Sequence, residues 1–327
     1  MHEYHKYSGN IVRSSQKRGV LMMVDPNALA GTSWAYEFQE LQRADATLLQ
    51  GRPGLQGYTK NTRPLFDRIA DRWSPELHTE WLLRQYLALK LTMAATIQFA
   101  SADHAYEQNL QIAIPYLSYY GMFNAMRANL LTSPRYQWGK STLSIGHDKA
   151  RQCYSSELKL LLAEHEVAEQ AQLAVDAKHG RELMSYRFPA SGAPGKGGFY
   201  VQRDKAEQFA RLAAELALFN SFCLGAAVER RFGQSSEWPG YKGDVESFNA
   251  AWKHKLKASA DEPDAVYPDA EDLYRVRQMA RRVKSPVPFI WLTGEGAVED
   301  FFGSFISTVD SEDAFNPDEH WDRLLSL

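Results

Sequence analysis

The chain has 327 residues, of which 44% are hydrophobic and 24% charged; this is typical of a globular protein and excludes disordered and fibrous classes. Its formal net charge of -3 excludes a globally basic nucleic-acid binder, although local basic patches remain compatible with it. Its two cysteines form no disulfide framework, and no apolar run approaches the ~20 residues of a membrane span, so we expect a cytoplasmic protein without a membrane segment.

Residues 1–60 are predicted to form an N-terminal appendage. Val20–Val24 is a short apolar run that fits either a strand or a buried arm. Ser33–Leu49 has the spacing of a half-buried amphipathic helix. The glycine-rich segment Gly51–Asn61 predicts a loop, and this loop marks the boundary with the main domain.

Residues 61–233 form the predicted main domain, because apolar residues recur there with helical spacing. The most apolar segment should lie at the centre, and Pro115 is placed in its first turn, where a missing N–H is tolerated. Little strand signal separates the segments, so the sequence predicts a mainly α fold, an antiparallel helical bundle with N- and C-terminal extensions. The predicted helices are Glu80–Ala100, Leu110–Thr132, His147–Leu162, Val167–Phe188 and Lys205–Arg231.

Two arginines occupy positions at which the helical spacing predicts apolar residues. Arg127 is the single charge in the central segment, so it must either reach solvent or meet a partner. Arg181 continues the apolar stripe that begins at Val167. A guanidinium is almost never buried without a partner. Arg181 therefore either pairs with a carboxylate such as Asp176 or with a residue on a neighbouring helix, or it lines a polar cleft that receives an anion.

Two further segments carry basic residues. Gly192–Gly197 contains Lys196, but its glycine spacing is too short for a phosphate-binding loop and no Ser or Thr follows the lysine. It therefore indicates a flexible connector, which leaves Lys196 free to approach a phosphate backbone. In the C-terminal extension, residues 234–327, a short helix at Leu273–Lys284 carries three cations on one face. This face can follow a phosphate backbone, or it is a solvated face partly neutralised by the acidic residues before it. The three cations are Arg277, Arg281 and Lys284.

The combination of three motifs resembles the HEPN superfamily of α-helical bundles, over residues 75–231. The family's second helix often carries a tyrosine pair, a Phe-centred apolar run and an arginine. Its later helix carries an arginine followed by histidine, or in many members by an Asp-Tyr ending, and Ser185 stands here where that aspartate is usual. The matching elements are SYYGMFNAMRANLL with Tyr119, Tyr120, Phe123 and Arg127, then His147 opening the next helix, and RELMSY with Arg181 and Tyr186.

The resemblance implies a protein that acts on or binds RNA, of the kind found in toxin-antitoxin and phage-defence systems. Active HEPN ribonucleases use neither metal nor cofactor and usually work as homodimers, in which arginine and histidine promote attack of the RNA 2′-hydroxyl on the adjacent phosphate. The tyrosine here replaces that histidine, and a phenol with a pKa of about 10 is a poor general base near neutrality. His179 lies on the opposite face of the helix from Arg181, whereas His147 can approach the site only through the fold.

We therefore expect a metal-independent endoribonuclease if the protein is active, with Arg181, Tyr186 and His147 as the catalytic candidates. The alternative is a non-catalytic helical module that binds a protein partner, such as an antitoxin. The candidate RNA contacts are Arg127, Arg187, Lys196, Arg277, Arg281 and Lys284.

Overall fold

A computed structural model describes residues 25–31, 37–46, 53–187 and 201–233, together with the short C-terminal pieces 271–272, 274–276, 301–306, 315–320 and 322–325. These residues contain no strand, so the predicted mainly α class is confirmed. A π-helical turn, Leu183–Arg187, continues α8, and a 3-10 turn lies at Pro317–His320. The helices are α1 Pro26–Ala30, α2 Gln39–Ala46, α3 Gly54–Asp71, α4 Pro75–Glu107, α5 Ile114–Thr132, α6 Lys140–Leu143, α7 His147–Leu158, α8 Glu164–Glu182 and α9 Arg203–Phe232.

Helix α5 lies at the centre of the bundle, between α4 and α9, as its apolar sequence predicts. It runs antiparallel to α4, with Asn124 donating to Gln98 at 3.0 Å. The two helices approach closely at Gly121, where a Cβ atom would lie 2.6 Å from the Phe99 ring. Pro115 stands in the first turn of α5, so the predicted start of this helix is confirmed within a few residues.

Helix α9 packs along α3 in the parallel direction. Near one end Tyr58 lies 2.9 Å from Asn220, and near the other Arg230 donates to Asp67 at 2.8 Å. Among the described residues α9 is long and apolar enough to cross a membrane, but 89% of its apolar window is buried inside the bundle. Such burial is expected of a central helix in a helical bundle, because its apolar faces pack against neighbouring helices.

A buried carboxyl group fixes α7 against its neighbours. Glu157, at the end of α7, accepts hydrogen bonds from Ser133 at 3.1 Å and Arg135 at 3.2 Å, and its other oxygen lies 3.1 Å from the Tyr58 hydroxyl. Burial raises the pKa of Glu157, while Arg135 and the hydroxyls oppose that rise. The contacts reach α3 and the segment after α5, so they set the position of α7 and of His147 at its start.

The loop predicted at Gly51–Asn61 is wrong, because α3 begins at Gly54 and crosses the expected domain boundary. Asp45 accepts a hydrogen bond from the Leu55 amide at 2.9 Å and so satisfies a free donor in the first turn of α3. Leu55 and Tyr58 are fully buried. Packing of these side chains has overridden the weak helix propensity of the glycines.

The described C-terminal pieces pack on α4 and α9. Arg323 pairs with Asp103 at 2.6 Å and with Glu207 at 2.5 Å, and Leu324 is fully buried. Lys90 of α4 pairs with Asp272 at 2.5 Å. The segment Val20–Val24 and most of the helix predicted at Leu273–Lys284 lie outside the described residues.

Candidate functional site

Arg181 lies in the last turn of α8 beneath a group of tyrosine rings. Its side chain continues the buried face formed by Val167, Ala174 and Ala177, and the residue is only 8% exposed. The guanidinium carbon lies 5.1 Å from the ring centre of Tyr119, 5.7 Å from that of Tyr120 and 5.8 Å from that of Tyr186. These distances allow cation–π attraction, which holds the cation in place. Together with His147, these residues are called the Arg181 cluster below.

The hydrogen bonds of Arg181 in the described part of the chain involve its two terminal nitrogens and leave the buried Nε–H unused. Nη1 donates to the Tyr120 hydroxyl at 3.2 Å and Nη2 to Oε1 of Glu182 at 3.3 Å, whereas the buried Nε–H has no partner among the described residues. Asp176 accepts from Gln172 instead, so the carboxylate that pairs with Arg181 is Glu182 and not Asp176, the example named from the sequence. Burial acts to lower the pKa of Arg181, but the Tyr120 oxygen and the other phenols reverse this, and the pKa is raised.

His147 joins the cluster from the first position of α7. Its Nδ1 lies 2.8 Å from the Tyr119 hydroxyl, and its ring lies 4.2 Å from the ring of Phe123. Burial raises the pKa of Tyr119, against the lowering effect of Arg181, so the phenol keeps its proton. Tyr119 therefore contacts Arg181 with its ring and His147 with its hydroxyl. The imidazole of the cluster therefore comes from α7, whereas His179 of α8 is exposed.

Tyr186 reaches the cluster because α8 ends in a π-helical turn. In such a turn the hydrogen bonds run from residue i to i+5, so a residue five positions on lies nearly above the first. Tyr186 is five residues after Arg181, and an ordinary α-helix would place it well round the cylinder. Its ring is 76% exposed, so it forms the outer surface of the cluster. The sequence pattern predicts a regular helix here and misses this turn.

A rim of charged residues surrounds the cluster. Lys178 pairs with Asp148 at 3.0 Å and approaches Glu182 at 3.9 Å, while Arg151 approaches Asp148 at 3.9 Å. The Lys178 hydrogen bond lowers the pKa of Asp148. Arg187, a predicted RNA contact, is exposed at the end of the π-helical turn. Lys178 is not among the residues predicted for the site, although it lies one turn before Arg181 and therefore on the same side of the helix.

Several predicted RNA contacts do not join the cluster. Arg127 is only 9% exposed, and its Nη2 donates to the Leu143 carbonyl at 2.8 Å. This contact fixes α5 to the segment before His147, so Arg127 supports the site from behind. His179 is exposed while Arg181 is buried, as the helical geometry predicts. The remaining candidates lie outside the described residues: Lys196, Arg277, Arg281 and Lys284.

The cluster combines a permanent cation, an imidazole and exposed aromatic surface. A guanidinium can bind a phosphate with two parallel hydrogen bonds, and imidazole is the side chain best suited to proton transfer near neutrality. The described part of the chain has no group of three or more His, Cys, Asp or Glu residues placed to hold a metal ion.

The fold and the cluster thus define a helical-bundle protein with a buried arginine in an aromatic site. Comparisons of the chain with protein-family models, with curated proteins and with solved structures found no match. The function must therefore be argued from the geometry of the site.

Proposed function

We propose that this chain is a cytoplasmic, HEPN-like protein that binds RNA through Arg181 and acts in a toxin-antitoxin or phage-defence system. The observation that carries the proposal is the convergence of three tyrosine rings, Tyr119, Tyr120 and Tyr186, on the guanidinium of Arg181. The imidazole of His147 joins them through the Tyr119 hydroxyl. The phosphates of RNA need cations, and its unpaired bases stack on aromatic rings. The Arg181 cluster offers both within one site.

A phosphate group can replace the weakest contact of Arg181. The bond to Glu182 is 3.3 Å long, and that carboxylate belongs to the adjacent residue and is 37% exposed. Such a partly exposed pair contributes little to stability, so exchange for a phosphate oxygen is inexpensive. A phosphate that approached from this side would also offer an acceptor to the unused Nε–H. Lys178 at the rim would add attraction for the next phosphate.

His147 is our candidate general base for metal-independent cleavage. Removal of the 2′-hydroxyl proton by His147 would let that oxygen attack the adjacent phosphorus, and the guanidinium would stabilise the negative charge that develops on the phosphate. The bond from phosphorus to the 5′ oxygen of the next nucleotide would then break. The leaving oxygen would take up a proton from the imidazolium, and a 2′,3′-cyclic phosphate would remain. Tyr119 is then a positioning residue, because its hydroxyl holds the imidazole at 2.8 Å. Tyr186 is placed to stack on a base.

Exposed apolar residues near the cluster favour a protein interface there. Leu110, Ile112 and Tyr116 are each about half exposed, and the Tyr116 ring lies 4.6 Å from that of Tyr120. Contiguous apolar surface of this kind commonly marks an interaction site. We propose that a second copy of the chain covers this surface in a homodimer. The alternative function, a non-catalytic module that binds a protein partner such as an antitoxin, rests on the same surface.

The binding proposal is tested with Arg181→Lys, measured by fluorescence anisotropy with a labelled 12-nucleotide single-stranded RNA at fixed salt. Lysine keeps the charge but loses the planar fork, so we expect affinity to fall about tenfold. Arg211→Lys is the matched control, because Arg211 is also partly buried and paired with a glutamate, on α9. Equal affinities of the two variants, with both melting temperatures retained, would contradict the proposal.

Cleavage is tested in the presence of EDTA. We expect a 2′,3′-cyclic phosphate product, its loss in His147→Gln, and no cleavage of a strand that carries 2′-deoxyribose throughout. If the protein binds RNA without cleaving it, the RNA-binding role stands and the catalytic role of His147 is refuted.

The proposed homodimer is tested by light scattering of wild type and Ile112→Asp. A charge on the apolar surface should dissociate the dimer and give the monomer mass of 37.1 kDa.

A further inference from the structure

A groove of about 590 Å³ lies along the outer face of α3, separate from the helices that build the Arg181 cluster. Its lining residues recur at intervals of three and four, so they share one face of the helix. Leu29 of α1 forms part of the opposite wall. The volume falls in the range of small-molecule binding sites.

The groove carries an excess of positive charge. Its two carboxylates are already paired, Asp67 with Arg230 at 2.8 Å and Asp71 with Arg231 at 3.4 Å. The three cations that line it belong to exposed residues of α3. Within the described part of the chain they make one contact with a carboxylate, a long one of 3.9 Å between Arg63 and Asp67. They are Lys60, Arg63 and Arg68.

A buried hydroxyl in the groove wall has no hydrogen-bond partner among the residues that the structure describes. Thr59 is 8% exposed, and its Oγ1 is unpartnered, which is unusual for a threonine in this protein. Other helical threonines donate to the carbonyl four residues earlier, as Thr62 does to Tyr58 at 3.0 Å. Beside it, Pro64 has no N–H, so the usual helical bond to the carbonyl of Lys60 cannot form. The groove thus contains a buried hydroxyl without a partner in the described part of the chain, next to the apolar side chains of Leu29 and Pro64.

We infer that this groove binds a nucleotide unit, meaning a flat aromatic base joined through a sugar to a phosphate. Arg63, Arg68 and Lys60 would contact the phosphate, and the ring would lie against Leu29 and Pro64. The Thr59 hydroxyl would then gain a partner on the ligand. A free nucleotide and one unit of an RNA strand share this chemistry. The inference stands independently of the Arg181 cluster, because no residue of that cluster lines the groove.

The test compares Arg68→Glu with Lys205→Glu in the full chain. Both positions are exposed helical cations and both changes alter the net charge equally, but Lys205 does not line the groove. The probes are AMP, measured by calorimetry, and the labelled 12-nucleotide RNA, measured by anisotropy. We expect Arg68→Glu to weaken binding tenfold or more and Lys205→Glu to weaken it less than twofold.

Thr59→Val separates a ligand contact from a structural role. Valine has the same shape but lacks the hydroxyl, so removal of an unpartnered buried group should keep or raise the melting temperature. If the hydroxyl contacts the ligand, binding should weaken severalfold while stability does not fall.

The outcomes distinguish the two sources of the ligand. Binding of AMP that depends on Arg68 and Thr59 identifies a free-nucleotide site. Binding of RNA alone with the same dependence identifies an RNA groove. If neither probe binds, or if Arg68→Glu and Lys205→Glu behave alike, the inference is overturned. Arg181→Lys should leave AMP binding unchanged, so failure of the groove and failure of the Arg181 proposal can be told apart.

Discussion

A buried glutamate should make the stability of this protein fall as the pH rises. Glu215 of α9 is 3% exposed, and one of its carboxyl oxygens accepts hydrogen bonds from the backbone amides of Glu40 and Leu41, both at 2.9 Å. It therefore satisfies two free donors in the first turn of α2. Burial raises the pKa of Glu215 from 4.5 to about 8, although the two amide bonds oppose the rise.

The magnitude follows from the difference between the two pKa values. Because the folded protein binds the proton more tightly, this group's contribution to stability is fully present below pH 4.5 and is lost as the pH rises through about 8. At 1.36 kcal/mol for each pKa unit, the loss is about 3 kcal/mol at pH 7 and about 4 kcal/mol at pH 8. That is a large part of the total stability of an ordinary domain.

Glu215→Gln tests this account, because glutamine keeps the acceptor oxygen and cannot ionise. Urea unfolding should give similar free energies for the variant and wild type at pH 5, and a variant more stable by about 4 kcal/mol at pH 8. Glu229→Gln, at an exposed position of the same helix, is the control and should follow wild type throughout. A difference between Glu215→Gln and wild type that does not change with pH would refute the reasoning.

Three further results are expected. His78 is buried, neither of its ring nitrogens has a partner among the described residues, and burial lowers its pKa to about 4. Its contribution to stability is lost as the pH falls from 6.5 through 4, so His78→Phe should flatten the acid limb of the unfolding profile. Gly121→Ala should lower the free energy of unfolding by about 1–3 kcal/mol, because its Cβ would meet Phe99 at 2.6 Å. Tyr186→Ala should weaken RNA binding about tenfold or more in the anisotropy assay, while Tyr186→Phe, which keeps the ring, should bind as wild type.

Hydrophobic periodicity predicts the long helices well and their boundaries less well. The central helix α5 and the last helix α9 are found within a few residues of their expected ends. The loop predicted at Gly51–Asn61 is wrong because glycine and proline indicate only the local backbone preference. Burial of the Leu55 and Tyr58 side chains stabilises a helix there instead. A carboxylate from α2, Asp45, completes the start of α3, and that contact cannot be read from local sequence.

Within the site, the sequence identifies Arg181 because burial of a guanidinium is costly enough to demand an explanation. It does not show that His147 meets the same tyrosines. That approach depends on the position of α7, which the buried contacts of Glu157 and the bond from Arg127 to Leu143 fix through the tertiary fold. The π-helical turn is equally hidden, because it changes the register of Tyr186 without changing the apolar pattern.

The tyrosine rings around Arg181 differ in whether they stabilise the fold or would contact the proposed RNA ligand. Tyr119 and Tyr120 come from α5 and attract the cation whether or not a ligand is present, so they tie α8 to the centre of the bundle. Tyr186 stands on the outer side, where its ring is 76% exposed, and it is the ring that an incoming strand would meet first. By excluding water from the guanidinium, the three rings also strengthen its attraction for a phosphate. Under the proposed function, Tyr186 would therefore serve RNA binding, while proton transfer would fall to His147 on α7.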